Sequence, residues 1–211
     1  MTPILLTVVF STVVTGLFNL SEFMPMPAAL AAGAAWGVVL GLLASWLRSK
    51  PVGVWLEDGF VGLGAIGFAF AGCGGLMAIL LLDGTLASSS VTGETLESTF
   101  LPSIPYYIAV NSALELLIVP VVLVMGWRPG VRRVLIVGTV TAYFAMRLWT
   151  YVAFVPARLG WADADHSSQV LTATDRAQAG RDLMLSDPRW ILLLALFAVF
   201  VVATALPARR R

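Results

Sequence analysis

The chain has 211 residues, 59% of them hydrophobic and 12% charged, with a formal net charge of +1. A soluble domain carries about 25% charged residues, so half that proportion, together with apolar runs of about 20 residues, excludes a soluble globule and reads as a polytopic helical membrane protein. The near-neutral balance excludes a broad nucleic-acid-binding surface, and a lone cysteine, Cys73, excludes an internal disulfide.

No segment is polar and long enough for a separate soluble domain, so residues 1–211 are expected to form one transmembrane domain. Lys50 is the only lysine among the basic residues. That bias, with the Ala, Gly and Val content, points to a bacterial genome and to the inner membrane as the location.

The first span is expected at residues 3–20. No basic residue precedes it, and Asn19, Glu22 and Pro25 stand where a signal peptidase would need small residues, so it reads as a span rather than a leader. Ser11, Thr15, Asn19 and Glu22 recur at helical spacing. Either the Ser and Thr hydroxyls bond back to helix carbonyls, or the four residues form a polar stripe facing a cavity. The two prolines of Ser21–Pro27 mark a tight connection. The second span, 28–47, carries Gly33, Gly37 and Gly41, a small-residue seam for close helix packing against a neighbouring helix or, in a homo-oligomer, another subunit.

Arg48, Lys50 and Pro51 end that helix, and Glu57 and Asp58 precede a glycine-rich third span at 59–82. Its glycines lack the preceding strand and the following Lys-Ser/Thr of a phosphate loop. Residues 83–104 read as a polar loop. The fourth span, 105–127, starts at Pro105 and contains Pro120, which should kink it and free the carbonyl one turn earlier. A basic turn, 128–133, leads to the fifth span, 134–156, expected to end at Pro156. The outer loop 157–188 holds a short surface helix within 170–185, with Thr172 and Asp175 at capping-box spacing. Asp187 and Pro188 open the sixth span, 189–206.

Six spans put both termini on one side. Arg48, Lys50, Arg128, Arg132, Arg133 and the terminal Arg209, Arg210 and Arg211 then share that side with only Glu57 and Asp58. The acids concentrate on the other side. The Lys/Arg bias makes the termini cytoplasmic.

Two charges lie deep in apolar runs: Glu115 in the fourth span and Arg147 in the fifth. Each is roughly 15 Å from the outer end at 1.5 Å per residue, and a short turn makes the two helices an antiparallel hairpin. An arginine at mid-helix costs about 2.5–3.5 kcal/mol to insert, so the two are expected to pair. Tyr107, Asn111 and Glu115 share one face; Tyr143, Arg147 and Tyr151 share another. With Asn19 and Glu22 nearer the outer face, these residues outline a pocket for a small lipophilic or amphipathic molecule, with Glu115 and Arg147 the candidates for any catalysis. The plainer reading is a buried ion pair that fixes helix register. Asp163, Asp165 and His166 lie together but lack zinc-ligand spacing and read as a solvated loop. A single histidine rules out bis-histidine haem, so no metal site and no cofactor is assigned.

Two stretches carry a family likeness. Gly16-Leu-Phe with Phe23-Met-Pro25, and Arg147-Leu-Trp-Thr-Tyr-Val-Ala-Phe-Val-Pro156, resemble the anthrone-oxygenase-like family of small membrane proteins. The resemblance implies an oxygenase-like protein working without a cofactor, with Arg147 the polar position carried over. Members of that family generally have four helices, whereas six spans are expected here. Beside a pocket-bearing, oxygenase-like protein, a small oligomeric transporter or channel and a non-catalytic subunit of a membrane complex remain open.

Overall fold

The computed structural model describes residues 2–21, 23–162 and 168–206. Among them the fold is all-helical, and a single isolated bridge, Thr92 to Val170, is the only extended pairing. The helices are α1 (Thr2–Phe18), α2 (Met26–Arg48), α3 (Gly53–Leu86), α4 (Gly93–Phe100) and α5 (Ser103–Ser112), which passes through a π turn (Ala113–Ile118) into α6 (Val119–Met125). Then come α7 (Val131–Trp149), a second π turn (Thr150–Phe154), α8 (Val155–Ala162), α9 (Ala173–Asp182) and α10 (Arg189–Ala205).

Four helical stretches are long and apolar enough to cross a membrane: Met26–Arg48, Gly53–Leu86, Gly93–Met125 and Val131–Trp161. The two others, α1 and α10, have 17 residues each. At 1.5 Å per residue that is about 26 Å, slightly short of a hydrocarbon core of about 30 Å.

α1 packs along α2, and α3 along α10, with α6 and α7 between them. The seam at Gly33, Gly37 and Gly41 is filled by α1 of the same chain. A Cβ on Gly33 would lie 2.7 Å from the Ser11 carbonyl oxygen, and one on Gly37 would lie 2.7 Å from the Val8 Cα. A subunit contact through these three positions would require α1 to move aside. Ser11 and Thr15 accordingly face the glycine seam and not a cavity. Of the hydroxyls on α1, Thr12 bonds back to the Val8 carbonyl, and Thr7 donates across to the Pro120 carbonyl at 3.3 Å.

The main core runs through the bundle centre. Phe68 stands edge-on to both Tyr143 and Phe200, with Val14, Leu114 and Ile136 around them. Between membrane-crossing helices such a core is held by close van der Waals packing, because lipid tails are as apolar as the side chains themselves. A second, smaller core lies beyond the ends of the long helices. There Leu82 and Leu86 at the end of α3 pack against Leu96 and Phe100 of α4 and against Leu183 just past α9. The stretch 83–104, expected to be a polar loop, therefore contains the last turn of α3 and the whole of α4. Thr92 caps α4 by accepting from the Thr95 N–H at 3.1 Å. The capping box expected from Thr172 and Asp175 opens α9. Asp187, the expected cap of the last helix, sits one residue before the actual cap, Pro188, its Oδ1 accepting from the Arg189 N–H at 3.2 Å.

Pro120 acts as expected, and two boundaries differ from expectation for identifiable reasons. Pro120 frees the Leu116 carbonyl, and the Trp36 indole N–H donates to it at 2.6 Å, so the helix continues through the π turn. Pro156 does not end its helix either. The wide turn at Thr150–Phe154 absorbs the missing N–H and the ring, and α8 carries on to Ala162. Glu57 and Asp58 lie inside α3 and not before it. Glu57 is buried between Arg128 at 3.1 Å and Arg132 at 3.5 Å, and Arg132 also holds Asp58 at 2.5 Å. Burial of that carboxylate is tolerable because two guanidinium groups flank it.

Candidate functional site

Glu115 sits in the first π turn and Arg147 in the last turn of α7. The antiparallel hairpin brings them together, and the Arg147 Nε donates to Glu115 Oε1. Two tyrosines complete the carboxylate's shell. Tyr143 donates to Oε1 and Tyr151 to Oε2, each at 3.0 Å. The Arg147 guanidinium also lies 4.6 Å from the centre of the Tyr151 ring. Glu115 and Tyr143 have no exposed surface, and Arg147 is 7% exposed. The two opposite charges are thus closely hydrogen-bonded and almost wholly buried.

Both π turns end two residues before a proline, Pro120 and Pro156. The geometry that accommodates each proline also re-aims the preceding residues. One turn presents Glu115, and the other presents Thr150 and Tyr151. The sequence thus uses two helix-breaking residues to build a polar centre on helices that still cross the bundle.

On the far side of Arg147 lies a cavity of about 670 Å³. Tyr107, Asn111, Arg147 and Tyr151 line it, while Glu115 and Tyr143 stand behind that wall. Asn19 does not reach it. Its amide closes the turn between α1 and α2, donating to the Met24 carbonyl at 2.7 Å and accepting from the Met24 N–H at 3.0 Å. That turn carries Leu20 and Phe23 to the cavity rim. Glu22 lies outside the described residues, as do Asp163, Asp165 and His166.

Three polar residues outside the expected pocket also line the cavity: Arg158 and Asp187, expected in the outer loop, and Arg189, expected at the start of the sixth span. Arg189 pairs with Asp187 at 2.6 Å and donates to the Thr150 hydroxyl at 2.6 Å. Arg158 donates from Nε to the Leu183 carbonyl at 3.0 Å. Both guanidinium groups lie on the Phe154 ring, 4.4 Å from its centre for Arg158 and 3.3 Å for Arg189. The signal for Arg158 was present: it follows Tyr151 by two helical turns, on the face that already carries Tyr143 and Arg147. Reading Pro156 as a terminator hid it.

The remaining wall is aliphatic and aromatic, including Leu17, Phe18, Ile79, Ile104 and Ile108. A volume in the range of small-molecule sites, apolar walls and a few converging polar groups are the ordinary attributes of a ligand pocket. Among the described residues no group of His, Cys, Asp and Glu is arranged to hold a metal ion. The chain matches no protein family, no curated protein and no solved structure.

Proposed function

We propose that this protein binds a small amphipathic molecule within the membrane, in the cavity whose inner wall is the Glu115–Arg147 pair. The observation that carries the reading is the placement of Arg147. Its Nε is committed to Glu115, yet the side chain still lines an otherwise apolar cavity. An ion pair that served register alone would need no cavity beside it. Tyr107 and Asn111 add to this, since neither side chain has a hydrogen-bond partner among the described residues although both line the cavity. Oxygenase chemistry rests on the family resemblance alone and is not part of this reading.

The membrane setting belongs to the same proposal. All six apolar helices cross a bacterial inner membrane, with α1 and α10 spanning by local thinning of the bilayer. The termini are cytoplasmic, because Arg48, Lys50, Arg128, Arg132 and Arg133 gather at the end where Glu57 and Asp58 are already neutralised. The cavity then opens toward the outer leaflet.

The competing reading is a scaffold subunit in which the pair only fixes register. The saturation of Glu115 by three donors favours it. Uptake of a fluorescent single-chain amphiphile separates the two. Ile108 lines the cavity and is 56% exposed, so Ile108→Trp fills the opening without disturbing the core. Uptake by the wild type that is lost in Ile108→Trp supports the pocket; equal uptake by both, or none by either, contradicts it.

A further inference from the structure

The cavity wall carries three guanidinium groups and one carboxylate. Two of the cations have dedicated anions: Arg147 has Glu115, and Arg189 has Asp187. Arg158 has no carboxylate partner among the described residues, and it is only 6% exposed. Its compensation is partial. It takes the Leu183 carbonyl at the C-terminal end of α9, where the helix dipole favours a cation, and it lies against the rings of Phe154 and Phe100, 5.5 Å from the centre of the latter. Asp187 also acts on it electrostatically but is committed to Arg189, so this buried cation, without a carboxylate of its own, retains much of its desolvation penalty. An anion entering the cavity would relieve it.

The rest of the wall says what that anion is attached to. Beyond the arginines the surface is apolar, and Leu20, Phe23 and Ile108 at the rim are exposed. The Tyr107 hydroxyl and the Asn111 amide offer neutral donors beside the charges. The volume suits a single hydrocarbon chain with its head group.

We propose that the cavity selects a single-chain amphipath with an anionic head group, a carboxylate or a phosphate, set against Arg158 and Arg189. This rests on the pocket reading above and adds the sign of the charge. Asp187 keeps Arg189 from acting as a second free cation, so Arg158 dominates the selection. A neutral chain of the same length would fill the same walls and leave Arg158 as it stands.

The test uses the full chain in an uncharged detergent with three probes of equal chain length: myristate, tetradecyl phosphate and tetradecanol. Occupancy is read by native mass spectrometry. The two anions are expected to bind at least about tenfold more tightly than the alcohol, as one charge-assisted hydrogen bond provides. Arg158→Gln should reduce that preference to less than about threefold, and Arg158→Lys should keep most of it. Helix content and melting temperature, measured on both variants, show that any loss is not unfolding; if Arg158→Gln does not fold, the wild-type preference and Arg158→Lys carry the test. A tighter carboxylate or a tighter phosphate would each support the proposal and would name the head group. Alcohol bound as tightly as the anions, or a preference unchanged in Arg158→Gln, would overturn the proposal and leave the pocket standing. No binding of any probe, or binding untouched by Ile108→Trp, would overturn the pocket itself.

Discussion

Replacing Arg147 with methionine removes the guanidinium and keeps much of the side chain's apolar bulk. Glu115 would then be a carboxylate without exposed surface, holding only the Tyr143 and Tyr151 hydroxyls at 3.0 Å each. Breaking a buried pair from one side costs about 3–5 kcal/mol. The two surviving bonds to a charged acceptor, about 1.5–3 kcal/mol each, hold the carboxylate in place and set the loss near the lower end, about 3 kcal/mol. For a chain of this length each kcal/mol lowers the melting temperature by about 2–4 °C, so the shift should be about 6–12 °C. The assay is thermal unfolding in detergent, followed by tryptophan fluorescence. Glu115→Leu should cost a similar amount, because it strands Arg147. The double variant Glu115→Leu/Arg147→Leu strands neither charge and should lie within about 1–2 kcal/mol of the wild type, above both single variants. Single variants that melt within about 3 °C of the wild type, or a double variant below both, would refute the account of the pair. A double variant that folds and still takes up amphiphiles would make Arg147 dispensable to the pocket.

Two further outcomes follow from the helix packing and the caps. Gly37→Leu should destabilise by at least about 1–3 kcal/mol, because the atom in the way is the backbone of Val8 and cannot step aside; Gly62→Ala, with nothing within 4 Å of the added carbon, should be neutral or slightly stabilising by thermal unfolding. The Asp175 carboxyl is held below its usual 3.8 by bonds from the Thr172 hydroxyl and N–H. Its contribution to the start of α9 is therefore complete above pH 3.8 and is lost as pH falls through the lower folded value. Amide exchange in Ala173–Asp182, compared between the wild type and Asp175→Asn, should show a protection difference at neutral pH that disappears in acid.

What could be read from the sequence divides along physical lines. Glu115 and Arg147 stood out because a charge in an apolar run has few tolerable partners, and two charges at equal depth on a hairpin have one obvious solution. Tyr143 and Tyr151 followed from helical spacing. The consequence of Pro120 was also legible, but its acceptor's partner, Trp36, lies 80 residues from Leu116 and no local pattern links them. Pro156 misled because a proline after an apolar run ordinarily marks an end. The π turn that absorbs it leaves no compositional trace, and with it went Arg158 and the lower wall of the cavity. Asn19 shows the opposite error. Its helical register with Ser11 suggested a pocket stripe, whereas a short polar side chain beside a turn finds the nearest backbone groups first. The small core at α4 and α9 was hidden because Leu96 sits alone among polar residues and Leu183 falls in a three-residue apolar run, Leu183–Leu185, too short to set a period.

On the binding proposal, Arg158 and Arg189 hold an amphipathic anion in the cavity whose inner wall is the Glu115–Arg147 pair. The most direct measurement is native mass spectrometry of protein extracted from its own membrane, beside Ile108→Trp prepared in the same way. The account predicts one bound single-chain anion per wild-type chain and an empty Ile108→Trp protein. A wild-type chain that is empty, or one that carries only neutral lipid in both proteins, would contradict it.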